Sequence, residues 1–268
     1  MAADYDDARE FVANIYKVLA KQDDLSPRNA VVTAALQAFI RNLLKWRNET
    51  WAQALSRDPA LRNEIKSLPV LCGRAEALME KWWARRLLEY ELLKATDLES
   101  FWYYDNYVEL ATAEWSLLRG ACAEHVTLIG SGALPLTAFL LCDRFRVQSV
   151  VCIDHDEEAN EIARTLIKRL GYDRWIRIVT KTAVDAEFET GTLPICGSFV
   201  PFEDVLPALH AQSVRSCLVR DVEGLFQFCY RPKTLSQTAY VEDDCTGPVP
   251  NVINVSRRLV WVGRPEIG

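Results

Sequence analysis

The spacing of apolar residues divides the chain into a helical part and a part in which short apolar runs alternate with helices. Up to about residue 118 the apolar positions recur with helical spacing. Ser26 and Pro27 mark one helix start, with serine at the N-cap and proline in the first turn. Glycine is rare in this region, which is typical of a helical bundle without hairpins. Further helices are predicted at residues 49–55, 74–94 and 107–119.

Beyond Gly120 the apolar residues form short runs that predict strands. Helices are predicted at residues 136–144 and 158–170, between the first three strands. This alternation predicts an α/β fold with a parallel, doubly wound sheet. We therefore expect a helical N-terminal domain at residues 1–118 and a sheet domain at residues 119–268. Strands are predicted at residues 126–129, 147–153, 175–179, 193–199, 216–219, 226–230 and 259–262.

Composition and charge narrow the class of protein. The chain has 268 residues, of which 50% are hydrophobic and 25% charged, as in ordinary globular proteins. A net charge of -6 argues against a nonspecific nucleic-acid-binding surface, and no apolar run is long enough to span a membrane. The N-terminal residues are acidic and lack an apolar signal core, so we expect a cytoplasmic protein.

The cysteines and histidines do not follow the spacing of a metal site. Eight cysteines are scattered without a CxxC pair, and the three histidines lie far apart. We expect free thiols that act as small core residues, and no bound metal.

A glycine turn and an acid predict a cofactor site. Gly130-Ser131-Gly132 follows the first predicted strand, and Asp154 ends the second. The glycines allow a sharp turn close to a ligand, and the carboxylate can accept both hydroxyls of a ribose. The third glycine of the dinucleotide pattern is missing and Pro135 withholds an amide from a pyrophosphate, so NAD and FAD are disfavoured. S-adenosylmethionine fits better, and a tight turn without a ligand is the alternative.

Three short segments of the chain match known sequence motifs. They are AEALME at residues 75–80, FWYYDNYVEL at 101–110 and IGSGALPLT at 129–137. In the same order, they resemble the AEGLME, FPYYNNYVNL and GSGPLPLT segments of the nicotianamine synthases. Bacterial opine-metallophore enzymes of the staphylopine and pseudopaline type are similar at residues 84–88, 153–156 and 219–224. Ala133 departs from the proline of plant and archaeal members.

The resemblance implies a Rossmann-like domain of the class I methyltransferase type, with S-adenosylmethionine as co-substrate. It implies transfer of the 3-amino-3-carboxypropyl (aminobutanoyl) group to the amine of an amino acid, histidine, with release of methylthioadenosine. An opine dehydrogenase would act next in metallophore biosynthesis, and a homodimer is compatible with this assignment. The alternatives are nicotianamine synthesis proper, cyclisation of S-adenosylmethionine to azetidine-2-carboxylate, methyl transfer, and an interaction module without activity.

This chemistry needs a neutral amine in line with the sulfonium, so a carboxylate or a phenol is expected beside it. Glu80 and Tyr107 are the predicted catalytic residues, and a solvated helix flank is the alternative for Glu80. An arginine can clamp a carboxylate, but Arg220 could instead form a structural ion pair. His155 is predicted to point away from Asp154, as the next residue of a strand does, and to face solvent. Asp156 is predicted to cap a helix. The other predicted site residues are Tyr103, Leu134 and Ser198 for the cofactor, and Glu76, Arg220 and Glu223 for the acceptor.

Overall fold

The computed structural model describes residues 4–118, 123–235 and 240–261. The α-helices of these residues are Tyr5–Ala20 (α1), Ala30–Trp46 (α2), Ala52–Leu55 (α3), Arg62–Leu88 (α4), Tyr104–Leu117 (α5), Leu136–Phe145 (α6), Glu157–Leu170 (α7) and Phe202–Ala211 (α8). The strands are His125–Ile129 (β1), Ser149–Asp154 (β2), Ile176–Thr180 (β3), Leu193–Cys196 (β4), Ser216–Asp221 (β5), Tyr240–Cys245 (β6) and Val255–Trp261 (β7). Short 3₁₀ helices lie at Pro59–Leu61, Ala95–Ser100 and Gly224–Phe228.

Residues 4–118 form helices and turns, as the spacing of apolar residues predicts. In α1 the carboxylate of Asp4 accepts the N–H of Asp7, and one face buries alanine, valine and leucine side chains. The helix α4 begins well before its predicted start at residue 74, because Pro69 and Gly73 lie inside the helix rather than before it. It ends at Leu88, short of the predicted residue 94.

A seven-stranded sheet has the order β3-β2-β1-β4-β5-β7-β6. Neighbouring strands from β1 to β5 are parallel, and β7 runs antiparallel to both β5 and β6. The predicted doubly wound α/β sheet is therefore confirmed. Because the chain winds outward in both directions from β1, the carboxyl ends of β1 and β4 flank the switch point where ligands bind in such sheets.

Near the end of the chain, one predicted strand is wrong and one observed strand was not predicted. The apolar residues near 226–230 form the 3₁₀ helix Gly224–Phe228, because this run is too short to distinguish a strand from a buried turn. The strand β6 was not predicted, since after Tyr240 its sequence is acidic and largely exposed. Acidic side chains are common on edge strands, where they prevent pairing with other chains.

The chain forms two compact units. The first combines Met1–Trp82 with Val222–Pro232, and the second combines Trp83–Asp221 with Lys233–Gly268. The predicted boundary at residue 118 coincides with the change from helices to strands. The division into two domains at this residue stays a prediction. Among the described residues, no helix combines the length and the hydropathy needed to cross a bilayer.

Candidate functional site

The turn after β1 needs its glycines. Gly130 and Gly132 have φ angles of +77° and +66°, in the left-handed region that other residues rarely adopt. The N–H of Gly130 donates to the carbonyl oxygen of Ile153 at 2.8 Å, which ties the turn to β2. A Cβ atom on Gly130 would lie 2.5 Å from Cγ2 of Val200, so a side chain has no room there. The remaining predicted residues of this turn, Ser131 and Leu134, are buried.

The carboxylate of Asp154 is held at the end of β2, beside this turn. Its Oδ2 accepts the N–H of Gly132 at 2.9 Å, and its Oδ1 accepts the N–H of Asp156 at 3.0 Å. Its side chain is 10% exposed. Each carboxylate oxygen can accept more than one hydrogen bond. Both oxygens of Asp154 can therefore accept a further hydrogen bond, one from each hydroxyl of a neighbouring pair. These residues fit a ribose.

The two residues after Asp154 behave largely as predicted. Oδ1 of Asp156 accepts the N–H of Ala159 at 3.1 Å, which confirms Asp156 as the cap of α7. The side chain of His155 is 82% exposed, which confirms that it faces solvent. Its Nδ1 lies 3.4 Å from Oδ1 of Asp154, so the expectation that it points away from Asp154 is wrong. Strand alternation does not apply to His155, because β2 ends before it.

The loop after β4 lies beside the glycine turn. The N–H of Gly197 donates to the carbonyl oxygen of Ile129 at 2.9 Å. Oγ of Ser198 accepts a hydrogen bond from Nδ2 of Asn254 at 3.0 Å. Lys233 donates from Nζ to backbone carbonyls of this loop, and burial lowers the pKa of its ammonium group. Neither Asn254 nor Lys233 was predicted, since no motif surrounds them.

Aromatic rings cluster at the start of α5. The rings of Tyr103 and Tyr107 meet edge to face with centroids 6.0 Å apart. Phe101 contacts both Tyr107 and Trp83, with centroid distances of 6.4 Å and 5.6 Å. All of these rings belong to the second unit. The roles of Tyr103 and Tyr107 stay predictions.

A buried carboxylate oxygen lies one half-turn after Tyr107. Oε1 of Glu109 accepts a hydrogen bond from Nδ2 of Asn251 at 3.3 Å. Its Oε2 is buried and has no hydrogen-bond partner among the described residues. The backbone carbonyl oxygen of Asn251 also accepts a hydrogen bond from the side-chain amide of Asn106. A hydrogen bond from an N–H group of a ligand, or from a water molecule, would satisfy Oε2 of Glu109.

Arg220, at the end of β5, forms a buried ion pair. Its Nε and Nη2 donate to the two carboxylate oxygens of Glu114 at 2.8 Å and 2.9 Å, and Nη2 also reaches Oγ1 of Thr137 at 2.9 Å. The hydroxyl of Ser256 donates to Oε1 of Glu114 at 2.6 Å. The alternative of a structural ion pair is thus observed, and a role for Arg220 in substrate binding stays a prediction.

The predicted acidic residues of the first unit lie on α4 and on the segment 222–232. Oε2 of Glu76 accepts a hydrogen bond from the hydroxyl of Tyr230 at 2.8 Å. Glu80, one turn later on α4, is half-buried, whereas Glu223 is exposed before the 3₁₀ helix. Sequence reasoning missed Tyr230, which lies far from Glu76 along the chain.

The cysteines of the described residues are free, as expected. Five of them are buried, at positions 72, 152, 196, 217 and 229. Burial raises the pKa of the Cys196 thiol to about 11 and that of Cys142 to about 12. These thiols therefore stay protonated near neutral pH and act as small core residues.

Several curated relatives match parts of the chain. Nicotianamine synthase of Solanum lycopersicum is 35% identical over 109 residues, which cover 39% of this chain and 34% of that protein. L-histidine 2-aminobutanoyltransferase of Yersinia pestis is 34% identical over 77 residues, which cover 29% of each chain. This chain therefore spans about a third of the length of the two curated relatives named here.

A solved structure matches nearly the whole chain. The structure of MtNAS in complex with MTA and tNA aligns with a TM-score of 0.83 and 20% identity, over 98% of this chain and 100% of that chain. At this identity the likeness establishes the fold alone. The family model for nicotianamine synthase protein matches residues 6–192, more than half of the sequence. The chain therefore belongs to the nicotianamine synthase family.

Proposed function

We propose that this protein binds S-adenosylmethionine as a co-substrate and transfers its 3-amino-3-carboxypropyl group to the amine of an amino acid, with histidine as the acceptor. Methylthioadenosine is the second product. The proposal concerns the activity and the acceptor, whereas membership of the family rests on the comparisons above.

The arrangement of Asp154 carries the cofactor part of the proposal. Its carboxylate is fixed by two backbone N–H groups at the carboxyl end of β2, directly beside the turn of Gly130 and Gly132. In doubly wound sheets an acid in this position accepts the ribose hydroxyls of a nucleotide or nucleoside. Pro135, at the N-cap of α6, offers no N–H to a phosphate, which favours a nucleoside ligand over a dinucleotide.

The transfer step defines what the acceptor side must supply. The amine nitrogen attacks the γ-carbon from the side opposite the sulfur, at a starting distance of about 3 Å. The new nitrogen–carbon bond forms as the carbon–sulfur bond breaks, and the sulfur keeps the electron pair as the thioether of methylthioadenosine. The amine loses a proton, and we assign Glu80 as the group that accepts it and Tyr107 as the group that orients the amine.

Names of relatives support two acceptors. A matched Yersinia pestis protein is named for transfer to L-histidine, over 77 residues. The tomato relative is named nicotianamine synthase, which supports nicotianamine synthesis as the second candidate. In that case the acceptor amine comes from S-adenosylmethionine itself.

One assay separates the candidates. The purified protein is incubated with S-adenosylmethionine, with and without histidine, and the products are followed by mass spectrometry. We expect methylthioadenosine and a histidine adduct heavier by one aminocarboxypropyl group, both dependent on added histidine.

Other products identify the other activities. Nicotianamine formed without histidine would establish the second candidate, and azetidine-2-carboxylate would establish cyclisation. S-adenosylhomocysteine would mean methyl transfer and would contradict the proposal. The variant Asp154→Ala, assayed in parallel at a limiting cofactor concentration, should give less methylthioadenosine.

A further inference from the structure

Lys233 is tied to the loop that follows β4. Its Nζ donates to the carbonyl oxygens of Gly197 at 3.2 Å and of Ser198 at 2.8 Å, and also to that of Val200. Its backbone N–H donates to Oδ1 of Asp221 at 2.8 Å, at the end of β5. An ammonium group has three N–H donors, and three carbonyl oxygens accept here. Lys233 therefore has no N–H left for a ligand and can act only through the loop.

The loop that Lys233 holds has little room to move. A Cβ atom on Gly197 would lie 2.9 Å from the carbonyl oxygen of Ile129, so the loop already touches the end of β1. A Cβ atom on Gly130 would lie 2.5 Å from Val200, on the same loop. Lys233 fixes the loop from one side, and the glycine turn bounds it on the other.

We propose that Lys233 is a positioning residue for the methionine arm of S-adenosylmethionine, because it fixes the backbone that carries Ser198. This inference rests on the proposed function and assigns Ser198, one of the predicted cofactor residues, to the methionine arm. Without the ammonium group, the carbonyl oxygens of residues 197, 198 and 200 would lose their shared donor. The carbonyl of Gly197 would keep the N–H of Val200 at 3.2 Å, whereas that of Ser198 has no second donor among the described residues. A partly buried carbonyl without a donor is costly, so the loop would rearrange and Ser198 would move.

The experiment compares two ligands on three variants by isothermal titration calorimetry. S-adenosylmethionine carries the methionine arm, whereas methylthioadenosine lacks it but keeps the ribose. Lys233→Met removes the donors at similar length, and Lys233→Arg keeps a charge and donors. Lys168→Met, at an exposed position in the last turn of α7, is the matched control.

For Lys233→Met we expect the Kd of S-adenosylmethionine to rise by about tenfold or more, the ratio that corresponds to one lost hydrogen bond. The Kd of methylthioadenosine should change much less. Lys233→Arg should lie between Lys233→Met and the wild type, and Lys168→Met should match the wild type within about twofold. Irreversibly inactive protein lowers the stoichiometry rather than the Kd, and reversible partial unfolding would weaken the binding of both ligands by the same factor.

Three results would overturn the inference alone. The first is an unchanged Kd for S-adenosylmethionine in Lys233→Met, and the second is equal weakening of both ligands, which would mean general damage to the site. An arginine variant no better than the methionine variant would also overturn it, since donors would then not matter. If the wild-type protein itself binds no S-adenosylmethionine, the proposed function fails, and this inference fails with it.

Discussion

Single carboxylates in this protein are oriented by backbone N–H groups and by polar side chains close in space. The carboxylate of Asp154 is oriented by the N–H groups of Gly132 and Asp156. The hydroxyl of Tyr230 orients Glu76, and Asn251 orients one oxygen of Glu109. At this scale, a substitution tests whether a carboxylate is used for binding, for chemistry or for structure.

Asp154→Ala should weaken the binding of S-adenosylmethionine by about 1–3 kcal/mol, because a buried ribose would lose its charged acceptor. Isothermal titration calorimetry measures this change directly. Asp156→Ala is the control: it should lower the free energy of unfolding by about 1 kcal/mol through loss of the α7 cap, with little effect on Kd. An unchanged Kd in Asp154→Ala would remove Asp154 from the site.

Glu80→Gln preserves the shape of the side chain but removes the charge that would accept the proton of the amine. Turnover should fall by about a hundredfold or more, the usual scale for loss of a general base, while cofactor affinity is retained. The rate of methylthioadenosine release and the Kd of S-adenosylmethionine are measured together. Glu89→Gln, at an exposed position after α4, should keep the wild-type rate. Near-wild-type turnover in Glu80→Gln would transfer the role to Tyr107 or Glu76.

Secondary-structure elements set the position of the proposed cofactor site. The turn from β1 to α6 meets the loop after β4 because these two strands are neighbours in the sheet. Gly130 supplies both a left-handed φ angle and a Cα without a side chain at this contact. At Gly171, which ends α7, only the φ angle is special, because no atom lies near its would-be Cβ.

The comparison of Gly130→Ala with Gly171→Ala separates these two effects. Both positions have nearly the same φ angle, +77° and +78°. The left-handed alanine should therefore cost each variant about 1–2 kcal/mol of the free energy of unfolding, and Gly130→Ala should lose more because its methyl group overlaps Val200. Only Gly130→Ala should also weaken S-adenosylmethionine binding, because its methyl group displaces Val200. Urea unfolding and calorimetry measure the two effects, and equal affinities would show that the contact with Val200 is unimportant.

On the scale of the whole molecule, buried charges connect elements that are distant in sequence. Glu114 on α5 and Arg220 on β5 are 106 residues apart, and Thr137 on α6 and Ser256 on β7 complete the network. All of these side chains are buried. Each polar atom named here has a partner, so the cost of burying the charges is offset within the second unit.

Arg220→Met should lower the free energy of unfolding by about 3–5 kcal/mol, because it leaves Glu114 buried without its counter-ion. Urea denaturation measures the loss. The double variant Glu114→Gln with Arg220→Met should recover part of it, and Arg144→Met, on the exposed side of α6, should be neutral. Unchanged stability, together with a raised KM for the acceptor, would instead support the predicted role of Arg220 in substrate binding.

Local sequence determined the elements and the glycine turn. Several features depend only on neighbours within a few residues. They are the helical spacing before residue 118, the strands β1 to β5, Asp156 as a cap and the glycines at 130 and 132. The short motifs also indicated the family, and they lie within residues 6–192, which the family model matches. Edge strand β6 and the 3₁₀ helix at Gly224–Phe228 were missed, since an acidic edge and a short apolar run carry weak local signals.

Only the tertiary structure decided which polar groups meet. Three sets of contacts join residues between 33 and 154 positions apart in the sequence. They are the ion pair of Arg220 with Glu114, the hydrogen bond between Tyr230 and Glu76, and the hydrogen bonds from Lys233 to the loop after β4. A side chain alone does not reveal whether it will face solvent, a ligand or a buried counter-ion. That outcome depends on burial, because a polar group removed from water must find a partner wherever the fold supplies one.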